Sequence, residues 1–69
     1  MAVLKVIEVL AESNDGWEAA AKEAVAEASK SVHNIKSVYV KEFQAIVEGN
    51  EIARYRINAK ISFIVEDKQ

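Results

Sequence analysis

Apolar and polar positions alternate in three stretches of this chain and recur at helical spacing in one. Residues 3–10, Val-Leu-Lys-Val-Ile-Glu-Val-Leu, are rich in β-branched side chains and predict a strand. One face carries Leu4, Val6, Glu8 and Leu10, the other Val3, Lys5, Ile7 and Val9. A strand this apolar on both faces needs cover on both sides. Ser13-Asn14-Asp15-Gly16 reads as a turn. Asp15 with Glu18 resembles a capping box, and Ser13 is a rival N-cap. From Trp17 to about His33 an Ala- and Glu-rich stretch predicts a helix. Trp17, Ala21, Ala24, Val25, Ala28, Val32 and Ile35 form its apolar stripe, and Glu18, Lys22, Glu23, Glu27 and Lys30 lie largely off it. A stripe built mainly of Ala lets the helix lie close to its support. Asn34 is suited to the left-handed conformation that ends a helix.

Residues 37–48 and 51–66 predict two long strands, joined at Gly49-Asn50 by a hairpin with Gly first, as a type II′ turn prefers. In the second of these strands Ala53, Tyr55, Ile57, Ala59, Ile61, Phe63 and Val65 share the face expected to meet the helix. A simple hairpin sets Val40 against Ala59 and Val38 against Ile61, which suits a core. It also sets Glu42 against Ile57 and Gln44 against Tyr55, and each unpaired polar group so buried costs about 1–3 kcal/mol. Either a bulge shifts the register between residues 41 and 45, or that end of the sheet is not a dry core. The expected architecture is α+β. It is a βαββ chain with a three-stranded antiparallel sheet of order 1-3-2, packed on one helix. Tyr39, Phe43, Ile64 and half of strand one are left on an outer face too apolar for water.

Composition sharpens this picture. Sixty-nine residues make one domain (1–69), and by surface scaling a compact monomer buries only about 60% of its unfolded surface. Such chains need a staple. There is no Cys and a single His, so disulfides, Cys-based zinc sites and a multi-His site within one chain are excluded. With 51% hydrophobic residues, self-association is the staple that remains. A net charge of −2 argues against a nucleic-acid partner. The longest apolar run is far below the roughly 18 residues of a membrane span, and Met1–Lys5 lacks a signal-peptide pattern, so a cytoplasmic, soluble protein is expected.

No nucleophile is paired with a base and no Gly-rich loop cradles a phosphate, so an enzyme is not expected. Trp17 reads as a packing anchor before a ligand platform, and His33 as a helix-end residue favoured by the dipole. Arg54, Arg56, Lys60, Lys41, Tyr39 and Phe43 would make a basic, aromatic outer face, suited to a subunit interface or an anionic ligand. Glu48, Asn50 and Glu51 in the turn, with Glu66 and Asp67 in the tail, are oxygen donors for calcium only if several copies combine.

The chain resembles the dodecin family over nearly its whole length. The resemblance rests on Lys5-Val6-Ile7-Glu8-Val9, on Ser13-x-x-x-Trp17-x-x-Ala20-Ala21, and on Ala24-x-x-x-Ala28-Ser29-Lys30-Ser31-Val32-x-Asn34-Ile35. Val40-x-Glu42, Tyr55-Arg56 and Ser62-Phe63-x-x-Glu66 continue it. It implies a hollow homododecamer that stores a small ligand between subunits. Many of the family hold a flavin (riboflavin, FMN or lumichrome), stacked on a Trp just after the helix, and the resemblance implies flavin as the default ligand. Ser37 stands at that position here, Arg56 at that of a ring-binding Gln, and Gln44 at that of an Arg. Ser37, Gln44 and Arg56 are thus the expected ligand contacts. A subgroup without the Trp, which this chain resembles more closely, implies calcium instead.

Overall fold

The computed structural model describes residues 3–65 as β1 (Val3–Ser13), α1 (Trp17–Ala28), β2 (Ile35–Glu48) and β3 (Glu51–Val65). The strands form one antiparallel sheet in the order β1-β3-β2, with the helix on one face. The expected βαββ architecture is therefore the observed one. The last sequence-predicted residue of strand three, Glu66, lies outside the described residues.

β1 runs three residues beyond its predicted end. Ala11, Glu12 and Ser13 are weak strand formers, but they pair with Ile57, Arg56 and Tyr55, and this pairing overrides local propensity. The helix stops five residues short of the predicted end. Ser29 Oγ donates to the Ala26 carbonyl at 2.8 Å, and the N–H groups of Lys30 and Ser31 bond three residues back, to Glu27 and Ala28. A serine hydroxyl that competes for helix carbonyls, followed by tightened i−3 bonds, unwinds the end. Asn34 does adopt positive φ, at 62°, but six residues past the helix, where its carbonyl receives the Ile64 N–H at 3.0 Å. At the other end neither Asp15 nor Ser13 caps the helix. Gly16 occupies the N-cap position with φ 124°, and Ser13 Oγ instead accepts the Asp15 N–H at 2.9 Å.

The hairpin turn also differs from expectation. Both Gly49 and Asn50 have positive φ (58° and 66°), the pattern of a type I′ turn. Glycine and asparagine are the residues that tolerate this conformation, and it matches the twist of the flanking strands.

The polar conflict in β2 is resolved by bulges. Register shifts fall between Val40 and Glu42 and between Ile46 and Val47, with a third between Ile35 and Ser37. The first two flip the intervening segment by one position. Phe43 now opposes Ile57 and Ala45 opposes Tyr55, while Glu42 opposes Asn58 and Gln44 opposes Arg56. Phe43 and Ala45 move to the helix side and Glu42 and Gln44, together with Ile46, to the outer face, without disturbing the Val40–Ala59 and Val38–Ile61 pairs.

The core is small. Ala20, Ile57, Ala59 and Ile61 are fully buried and Ala24 nearly so, with Val9, Ala11, Ala21, Val38 and Val40 packed around them. Ala20, absent from the predicted stripe, sits at its centre. The helix meets the sheet through methyl groups, so its backbone lies close over Ala59. The chain exposes 5088 Å², against roughly 4,300 Å² for a compact globule of its mass. Its extents of 56 × 19 × 13 Å show why: the body is a long slab.

Candidate functional site

The outer face of the sheet holds what the helix does not cover. Leu4, Val6 and Leu10 of β1 are 52%, 57% and 68% exposed, and Tyr39 of β2 is 64% exposed. Among them runs a row of ion pairs. The Glu12 carboxylate takes Arg56 Nη2 at 2.6 Å and Arg54 Nε at 3.1 Å, and Arg54 Nη1 reaches Glu48 at 3.4 Å. Lys41, the extra residue of the first bulge, reaches Glu8 at 3.3 Å. Hydrogen bonding from Arg56 holds the Glu12 carboxyl below the usual carboxylate range, and Lys41 does the same for Glu8.

This arrangement corrects the expected basic, aromatic face. Both arginines are matched by carboxylates, so the face has little cationic surplus for an anion. Phe43 is not on it, because the bulges turn its ring to the helix side, where it meets Trp17 edge-on at 5.7 Å. Tyr55 meets Trp17 in the same manner at 5.0 Å, and Trp17 Nε1 donates to the Gln44 carbonyl at 2.9 Å. Trp17 is thus the anchor of the helix N-terminus on the hairpin, as its place on the stripe suggested.

The expected ligand contacts divide into two groups. Gln44 and Arg56 are direct cross-strand neighbours on the outer face. Their meeting depends on the bulges, since the unshifted register sends Gln44 to the other side. Ser37 lies on the same face, opposite Ser62, and the two hydroxyls are hydrogen-bonded to each other. Six residues of β3 separate Ser62 from Arg56, about 20 Å at the strand rise. One copy cannot bring all three onto one small molecule.

Two features of this face were missed from sequence. One is Glu12, whose spacing in β1 matches Glu8 and whose charge sign was the available clue. The other is Asn58, whose Oδ1 is buried among the described residues without a hydrogen-bond partner. Nothing local marks it, because its burial comes from neighbouring strands.

His33 is not in the last turn of the helix, which ends at Ala28, so the dipole argument for it fails. It lines instead a groove of about 440 Å³ at the end of the slab, together with Lys5, Val32, Phe63 and Val65. Among the described residues no group of three His, Cys, Asp or Glu side chains is gathered for a metal ion. Glu48 already serves Arg54, and Glu66 and Asp67 lie outside the described residues.

A three-stranded antiparallel sheet of order 1-3-2 with one helix on one face defines a class of small βαββ proteins. The sequence profile of the Dodecin family matches residues 3–66, and the chain belongs to that family. Calcium dodecin of Mycobacterium tuberculosis is 38% identical over 69 residues, covering 100% of this chain and 97% of that protein. The crystal structure of that calcium dodecin, described as having a novel calcium-binding site, superposes with TM-score 0.81 at 37% identity over 97% of this chain and 96% of the other. A point mutant of Thermus thermophilus dodecin superposes with TM-score 0.91 at 26% identity, covering 99% of this chain and 100% of the other.

Proposed function

We propose that this chain, a single domain over residues 1–69, assembles into a hollow homododecamer that binds and stores a small ligand between its subunits. It acts as a cytoplasmic binding protein and not as an enzyme. The observation that carries the reading is the outer sheet face. Its exposed Leu4, Val6, Leu10 and Tyr39, and the orphan Asn58 oxygen, are a half-finished interface. No helix among the described residues is long and apolar enough to cross a membrane.

Gln44 and Arg56 are the contacts for the polar edge of a planar ring such as riboflavin or FMN, with Ser37 supplied by a second copy. Ser37 offers no stacking surface, and an aromatic platform is worth roughly 1–3 kcal/mol per ring. Two observations favour a second ligand, calcium, in an otherwise flavin-free shell. The Ser37–Ser62 hydroxyl pair occupies the platform position, and a relative of 38% identity is a calcium dodecin. Without a three-carboxylate group among the described residues of one chain, the ion's oxygens come from several copies.

Native mass spectrometry of untreated protein reads subunit number and retained ligand together. A mass of twelve chains supports the shell, and a single-chain mass ends it. Riboflavin fluorescence quenched by micromolar protein identifies flavin. Heat and a raised melting temperature on adding Ca²⁺ identify calcium.

A further inference from the structure

The two ends of the slab are chemically complementary. The β2–β3 hairpin tip extends past β1, whose pairing with β3 stops at Tyr55. Directly opposed Val47 and Ile52 are 61% and 53% exposed there, and Glu48 and Glu51 flank the turn as a second opposed pair. Two carboxylates facing each other across a ladder repel, which favours a cation between or beside them. Of the two turn carboxylates Arg54 reaches only Glu48, at 3.4 Å, and it shares its charge with Glu12 at 3.1 Å. At the opposite end lies the groove of about 440 Å³, with apolar walls from Val32, Phe63 and Val65 and with Lys5 and His33 on its lining. An apolar body carrying carboxylates is what this groove suits, and the same chain presents one at its other end.

We propose that the hairpin tip of one copy docks in the end groove of the next, with Val47 and Ile52 against the apolar walls and Glu48 and Glu51 beside Lys5 and His33. In a slab 56 Å long a chain cannot bring its own tip to its own groove, so the contact is head-to-tail. Head-to-tail contacts build closed rings when the rotation closes. This inference rests on the self-association proposed above and names one of its joints.

Zero-length carbodiimide coupling tests it on the unmodified protein, because it joins a carboxylate to a lysine amine only where the two touch. In an assembly refolded from mixed ¹⁴N- and ¹⁵N-labelled chains, peptide mass spectrometry should find Glu48 or Glu51 joined to Lys5 across isotopically unlike copies. Links to Lys5 only from Glu66 or Asp67 would assign the groove to the chain's own tail and overturn the proposal, as would an assembled protein with no tip-to-Lys5 link. A protein that stays a single chain by mass instead removes the self-association reading itself. As a second measurement, Glu48→Lys with Glu51→Lys should lower the assembly mass while the circular dichroism is kept, and adding Lys5→Glu and His33→Glu should restore it. A reversed tip that leaves the parent mass unchanged counts against the joint.

Discussion

The two faces of the sheet are made from the same three strands, yet only one of them has a buried centre. On the helix side, Ile57, Ala59 and Ile61 are closed off by Ala20 and Ala24, with aliphatic neighbours filling the rim. On the outer side, Leu4, Val6 and Leu10 stand exposed beside carboxylates and arginines that pair with one another. The difference follows from the element count. A single helix of 12 residues, about 18 Å long, covers only the middle of one face of strands of 11 to 15 residues, leaving Val3 and Phe43 exposed beyond it and the other face open. The charged row keeps the open face from being uniformly sticky, and the bulges keep its polar residues on the outside. A chain that divides its apolar content in this way is built to be one part of something larger.

The sharpest way to break the helix-covered face is Ile57→Ala. It removes a fully buried side chain where Ala20 cannot move in to fill the space, and should cost about 2–5 kcal/mol in denaturant unfolding at fixed protein concentration. The outer face should respond differently. Leu10→Asp leaves the single-chain core intact and forfeits up to about 1.5–3 kcal/mol of burial at each copy's interface, so the assembly mass should fall while far-ultraviolet circular dichroism persists. If Leu10→Asp kept the parent mass, the outer face would not be the interface. Ser37→Trp probes the same face for flavin. A restored stacking platform should tighten riboflavin binding by roughly ten- to a hundredfold in a quenching titration, and no change would place the ligand elsewhere.

Smaller effects test how the faces are joined. Trp17→Phe keeps an aromatic edge against Phe43 and Tyr55 but loses the bond to the Gln44 carbonyl, a loss of about 0.5–1.5 kcal/mol readable in thermal melts. The smallest effect is expected from Glu12. Arg56 lowers its folded pKa, so the stabilisation is present above the unfolded value, about pH 4.3, and is lost as the pH falls through the lower folded value. Glu8, lowered by Lys41, acts in the same direction. Glu12→Gln should lower the melting temperature slightly at neutral pH and flatten its decline into acid. A variant whose acid profile matched the parent's would show that the row contributes nothing to stability.

Much of this was legible along the chain. The alternation in residues 51–65 marked the central strand and the three residues that became its buried centre, Ile57, Ala59 and Ile61. The awkward placement of Glu42 and Gln44 left either a register shift or a wet end of the sheet, and two shifts flank that segment. Of the candidate site, Gln44 and Arg56 proved to be neighbours, whereas Ser37 lies far along the strand. The pairing of Arg56 with Glu12 was not legible, because the residues are 44 apart and meet only when β1 is zipped against β3. The early end of the helix was hidden for a related reason. Lys30 to His33 have ordinary helix propensity, and the competing carbonyl bond from Ser29 becomes decisive only once the chain must turn toward β2.

Local order of polarity therefore determined the kinds of elements, their sequence along the chain, the 1-3-2 pairing and the excess of apolar surface over what one helix can cover. Those properties depend on side chains a few residues apart, and period and propensity report them directly. The tertiary structure alone decided where β2 bulges, which side Phe43 and Gln44 take, which carboxylate meets which arginine, and that Val47 and Ile52 stand at one end of a slab whose other end carries Lys5 and His33. These depend on distances between residues remote in the chain, which are set when strands align and have no counterpart in any short window of sequence.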